Sequence, residues 1–177
     1  MNIKVRNLTL SALYCAFAVI SIYLASIFPT GQLGLTAIAS LFVAAVVIEA
    51  GISYSISVYI VTSFISILIV PYRVTAFLFI LFFGYYPIFK SLIEKLSIVV
   101  VQFLAKFLVF NVSLTAIWFL FSELFFASFN VSEDRHFILL VLIYVCGNVI
   151  FLLYDYGFSK LIWFYINRIS SSRIKKE

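Results

Sequence analysis

The sequence predicts an all-α integral membrane protein, with six transmembrane helices in one compact bundle, a single domain over 1–177, and both the N- and C-termini cytoplasmic. Three observations carry that expectation. Hydrophobic residues make up 65% of the chain and charged residues 11%, against about 25% charged in an ordinary soluble domain. Mean hydropathy is +1.20. The apolar residues also come in long runs without period-two alternation. A run of about 20 such residues crosses a hydrocarbon layer as a helix, because a helix satisfies its own backbone hydrogen bonds and an isolated strand does not.

The elements follow in order from where those runs break. The first span, 7–27, ends at Phe28-Pro29-Thr30-Gly31; it has the length of a full span and lacks a small-x-small cleavage site, so it reads as a retained helix rather than a signal peptide. The second and third, 33–49 and 51–70, are separated only by a tight turn at Glu49 to Gly51 and form a helical hairpin. Pro71-Tyr72-Arg73 opens the fourth, 73–90, in which Gly84 and Pro87 predict a bend that leaves Tyr85 and Tyr86 near its middle. Lys90 to Lys95 separates it from the fifth, 97–121, and a polar loop from Glu123 to His136 separates that from the sixth, 137–165. No linker, low-complexity tract or repeat interrupts this order.

Basic residues near span ends stay on the cytoplasmic side. With the N-terminus inside, Lys4, Arg6, Lys90, Lys95, Lys160, Arg168, Arg173, Lys175 and Lys176 fall at inner ends, whereas only Arg73 and Arg135 fall outside. The net charge of +5 is then mostly an orientation signal, with no need of nucleic acid as a partner. The basic tail from Arg168 to Lys176 suits a lipid-headgroup anchor. Cys15 and Cys146 lie in apolar runs with no second ligand nearby and read as small core residues, so neither a disulfide nor a metal is expected. The chain has one His and no Gly-x-Ser-x-Gly, His-Glu-x-x-His or Walker motif, so no enzyme and no cofactor are expected.

Polar residues inside the spans are the informative ones, since a charge at mid-bilayer costs about 2.5–3.5 kcal/mol unless it finds a partner or a polar cavity. Lys106 and Asp155 each lie about ten residues from the inner end of their span, hence at matching depth, and are expected to form an intramembrane ion pair. Nearer the outer side, Asn111, Thr115, Trp118 and Ser122 form one stripe of the fifth span, and Tyr144 and Asn148 sit four apart on the sixth. Two readings stand: the stripes line a substrate pocket open to the outside, or their amides and hydroxyls join helices. Arg73, starting a span on that outer side, is placed to grip a carboxylate or phosphate, or to snorkel. The lone His136, next to Ser-Glu-Asp-Arg, reads as a loop residue.

The first span is rich in small residues, "LSALYCAFA", and Ala12 and Ala16, four apart, share a face that lets another helix approach closely, with Ser11 and Ala18 widening it. With its six spans, inside termini and short basic N-terminus, this opening helix resembles the substrate-binding S component of energy-coupling factor (ECF) importers, whose first helix carries an Ala-x-x-x-Ala motif. The resemblance implies a bacterial cytoplasmic-membrane protein that captures a vitamin or other micronutrient in an outward-facing pocket. It also implies partners: a T-type transmembrane coupling protein, against which Ala12 and Ala16 dock, and two ABC ATPases. Arg73, Asn111, Thr115, Trp118, Tyr144 and Asn148 are then the expected binding residues. Scaffold proteins of the rod-shape-determining MreD type resemble the chain equally in size and span number, and imply cell-envelope assembly in place of transport.

Overall fold

The computed structural model describes residues 3–129 and 133–170, and among them all regular structure is helical, with no strand. The α-helices are α1 (Ile3–Ile27), α2 (Gln32–Glu49), α3 (Ile52–Ile69), α4 (Arg73–Leu78), α5 (Tyr86–Ile93), α6 (Val99–Phe129) and α7 (Glu133–Tyr165). A π-turn at Phe79–Phe83 joins α4 to α5, and another at Ile166–Ser170 ends α7. Among the described residues six segments are long and apolar enough to cross a membrane: Ile3–Ile27, Gln32–Glu49, Ile52–Ile69, Arg73–Ile93, Val99–Ser122 and Leu140–Arg168. The polar stretch expected to be a loop from Glu123 to His136 is instead mostly helix, with α6 running to Phe129 and α7 starting at Glu133. Hydropathy marks where the apolar run stops. The end of an apolar run does not oblige a helix to stop, and no Gly or Pro lies between 122 and 136 to break it.

The other breaks have local causes. Phe28 and Val70 are extended because each precedes a proline, which disfavours the helical conformation at the residue before it. Between α2 and α3 the chain reverses at Gly51, whose φ of +92° is one that residues with a Cβ rarely adopt.

The described residues group into two compact units, Met1–Lys95 with Phe158–Glu177, and Leu96–Gly157. In the first, α1 packs on α2 and α3, and α2 also meets α5. The inward face of α1 is Ser11, Cys15, Ala18, Ile22 and Ala25, spaced alternately four and three apart. On α3 every buried residue is small or β-branched (Ser55, Val58, Thr62 and Ser66), and Cys15 Sγ lies 3.2 Å from Thr62 Oγ1. Cys15 is therefore a core residue, as expected, but Cys146 is exposed on α7. Ser11 and Ala18, expected to widen the Ala12 face, belong to the inward one.

The bend in the fourth span is built by Tyr59 of α3. Within the π-turn the Gly84 N–H donates to Phe79 O at 2.7 Å, a five-residue step that leaves the Ile80 carbonyl to be satisfied elsewhere. The Tyr59 hydroxyl donates to that carbonyl at 2.9 Å. Its ring passes so close to Gly84 that a Cβ there would sit 2.6 Å from Tyr59 Cδ2 and 2.7 Å from Phe79 Cε1. Tyr86 is fully buried beside Phe82, and Tyr85 meets Tyr59 and Phe89 edge-on, so both tyrosines pack. Gly84→Ala should destabilise the fold by about 1–3 kcal/mol through overpacking, read as a lower unfolding midpoint in detergent. Adding Tyr59→Ala should recover part of the space conflict, so the double variant should lose less than the two single losses together.

Candidate functional site

In the second unit the two predicted polar stripes, on α6 and α7, meet each other. Asn111 Nδ2 donates to Asn148 Oδ1 at 3.0 Å, and Asn148 Nδ2 returns a bond to Asn111 Oδ1 at 3.2 Å. Their remaining amide hydrogens go to the Phe107 and Tyr144 carbonyls, each at 2.8 Å. One turn along, the Thr115 and Tyr144 hydroxyls are 2.7 Å apart, and Thr115 also donates to Asn111 O. Each amide thus spends both N–H groups inside the helix pair. Trp118 and Ser122 continue the α6 side of the stripe and are half-buried.

The same seam holds the charged pair. Lys106 Nζ and Asp155 Oδ2 are 3.5 Å apart, with the side chains 11% and 23% exposed. Between this pair and the amides, Phe110 and Phe151 stack with centroids 4.5 Å apart and planes 12° from parallel. Gly147 lets Leu114 approach, since a Cβ there would lie 3.2 Å from Leu114 Cδ2. These contacts step down α7 as they climb α6, in one antiparallel register.

The remaining predicted residues lie in the first unit. Ala12 and Ala16 are exposed, on the side of α1 turned away from Ser11, Cys15 and Ala18. Arg73 is exposed at the first residue of α4. The side chains of Glu123 and of Glu133 to His136, with Arg173, Lys175 and Lys176, lie outside the described residues.

Two polar clusters of the first unit escaped sequence reasoning. Tyr14 of α1 and Tyr165 of α7 both donate to Glu49 Oε1 at the end of α2, Tyr14 at 3.1 Å, and the two hydroxyls are 2.7 Å apart. Lys90, counted from sequence as an orientation charge, is 2% exposed; it donates to Ser159 at 2.8 Å, pairs with Glu94 at 3.0 Å and lies over the Tyr86 ring. The only sequence signal for either was an ionisable residue at a span end with aromatic hydroxyls elsewhere in the chain. Among the described residues no group of three or more His, Cys, Asp or Glu is placed to hold a metal ion.

Comparison of the chain with protein-family models, with curated proteins and with solved structures finds no match.

The geometry makes Lys106 and Asp155 energetically coupled. Lys106→Gln and Asp155→Asn should each lower stability, and the double variant should lose less than the sum, with a coupling of about 1–2 kcal/mol in a double-mutant cycle. Strictly additive losses would show that the pair does not interact.

Proposed function

We propose that the chain is a multi-pass protein of the bacterial cytoplasmic membrane and the substrate-capturing subunit of an ECF-type importer. In this reading it binds a micronutrient on its outer side and docks on a T-type transmembrane protein energised by ABC ATPases. The observation that carries the reading is the use α1 makes of its small residues. Ser11, Cys15 and Ala18 are consumed by packing inside the unit, whereas Ala12 and Ala16 stay exposed. An alanine pair four apart on an open helix face is the surface a second transmembrane helix approaches most closely. The distribution of basic residues supports the orientation that puts this face toward the cytoplasmic half. On α6 and α7 the residues proposed to serve the ligand are Thr115, Trp118 and Tyr144, framed by Asn111 and Asn148; Arg73, proposed from the sequence as a further ligand-binding residue, is exposed in the first unit.

One observation favours the second reading, an MreD-like scaffold. Asn111 and Asn148 direct all their amide hydrogens to each other and to backbone, which is what helix-joining groups do and what ligand-contacting groups avoid. Affinity purification of the tagged chain from its host after mild solubilisation, compared with Ala12→Leu/Ala16→Leu, separates the two. The importer reading expects a T component and ATPases with the parent chain and their loss from the double variant. Recovery of cell-envelope synthesis proteins would replace it with the scaffold reading, and recovery of no partner would remove its main support.

A further inference from the structure

Along the C-terminal half of α2 and the C-terminal end of α7, both in the first unit, the surface opens into a cleft of about 180 Å³. Its α2 wall is Leu41, Ala44, Ala45 and Ile48, whose spacing of i, i+3, i+4 and i+7 is one continuous helix face roughly 10 Å long. Ala44 and Ala45 are each 4% exposed and form the floor, a hollow because both side chains stop at Cβ. Leu161 and Phe164, about half exposed, stand on the α7 side as the rim. Tyr165 closes that wall with its ring while its hydroxyl turns away to Glu49 and Tyr14, so the lining presents almost no polar surface. The face that runs 161, 164, 165 reaches next to Arg168, which is exposed in the terminal π-turn.

An apolar cleft in the terminal part of a span, with an exposed arginine about one turn beyond its last lining residue, suits an acyl chain with an anionic headgroup at its end. We propose that this cleft seats one acyl chain of an anionic phospholipid from the surrounding leaflet, with the headgroup phosphate on Arg168. The proposal rests on the membrane reading above, and not on whether the chain is a carrier or a scaffold. The hollow floor at Ala44 and Ala45, with a cation beyond one end, distinguishes the site from the general apolar surface of the helices, which any lipid covers.

The test is native mass spectrometry of the full chain, recovered from membranes in mild detergent, stripped of lipid and titrated with phosphatidylglycerol or phosphatidylcholine. The parent chain should retain one phosphatidylglycerol in preference to phosphatidylcholine. Ala44→Phe, which fills the floor, should lose that bound lipid. Arg168→Gln should still bind lipid, with its preference for phosphatidylglycerol lowered about five-fold. Wild-type lipid retention by a folded Ala44→Phe chain would overturn the proposal, as would an undiminished preference in Arg168→Gln. The latter changes only an exposed residue at a helix end and decides the matter even if Ala44→Phe fails to fold. A protein chain held by the parent but not by Ala44→Phe, with no lipid bound, would overturn it in favour of a helix-docking groove. Absence of the chain from the membrane fraction would sink the membrane reading itself, a failure distinct from these.

Discussion

A polar atom with apolar surroundings needs a partner, and that constraint organises this chain more than any single apolar contact. Leaving a buried donor or acceptor unmade costs about 1–3 kcal/mol, whereas swapping one apolar residue for another of like volume costs little. The backbone meets the constraint by coiling into helices over most of the described chain. Where the fourth span departs from the α-helix, the Ile80 carbonyl is met by the Tyr59 hydroxyl. The larger polar side chains follow the same rule, whereas the small Ser11 and Ser66 hydroxyls are buried without a hydrogen-bond partner. Asn111 and Asn148 complete each other, Glu49 receives two phenols, and Lys90 is enclosed by Ser159, Glu94 and the Tyr86 ring. Because apolar faces slide past one another at little cost, these directional contacts are what fix the register of the helices they join.

The same constraint explains which features could be read from the sequence. The spans were legible because crossing an apolar layer needs a length and a composition, and both are local properties; the observed segments differ from the expected ones by a few residues at most ends. The break near Gly84 was legible because Gly and Pro mark helix interruptions, although the Gly84 backbone stays helical and its missing Cβ instead admits the Tyr59 ring. The approach of Lys106 to Asp155 followed from equal depth on consecutive spans. What was not legible was anything set by rotation about a helix axis. Asn111 and Asn148 were found as two stripes, but whether two stripes face each other or share a cavity depends on how α6 and α7 are turned. Glu49 needed partners from α1 and α7, 35 and 116 residues away along the chain, and no periodicity links three residues on three spans.

The small residues of α1 show the limit most clearly. Ser11, Ala12, Cys15, Ala16 and Ala18 are nearly interchangeable by size, and within about two turns they cover nearly half the circumference of the helix. Composition alone made them one small face. The structure divides them, because a helix surrounded by lipid-like residues gains nothing from hydrophobicity when it meets another helix and associates through close van der Waals approach instead. Ser11, Cys15 and Ala18 supply that closeness to α3, whose own buried face is Ser55, Val58, Thr62 and Ser66. If that were the only use of small residues on α1, larger side chains at 12 and 16 would serve better on the exposed side, as Leu13 and Phe17 do beside them. Two exposed alanines kept one turn apart leave room for a second backbone, and that room is the physical content of the docking proposal.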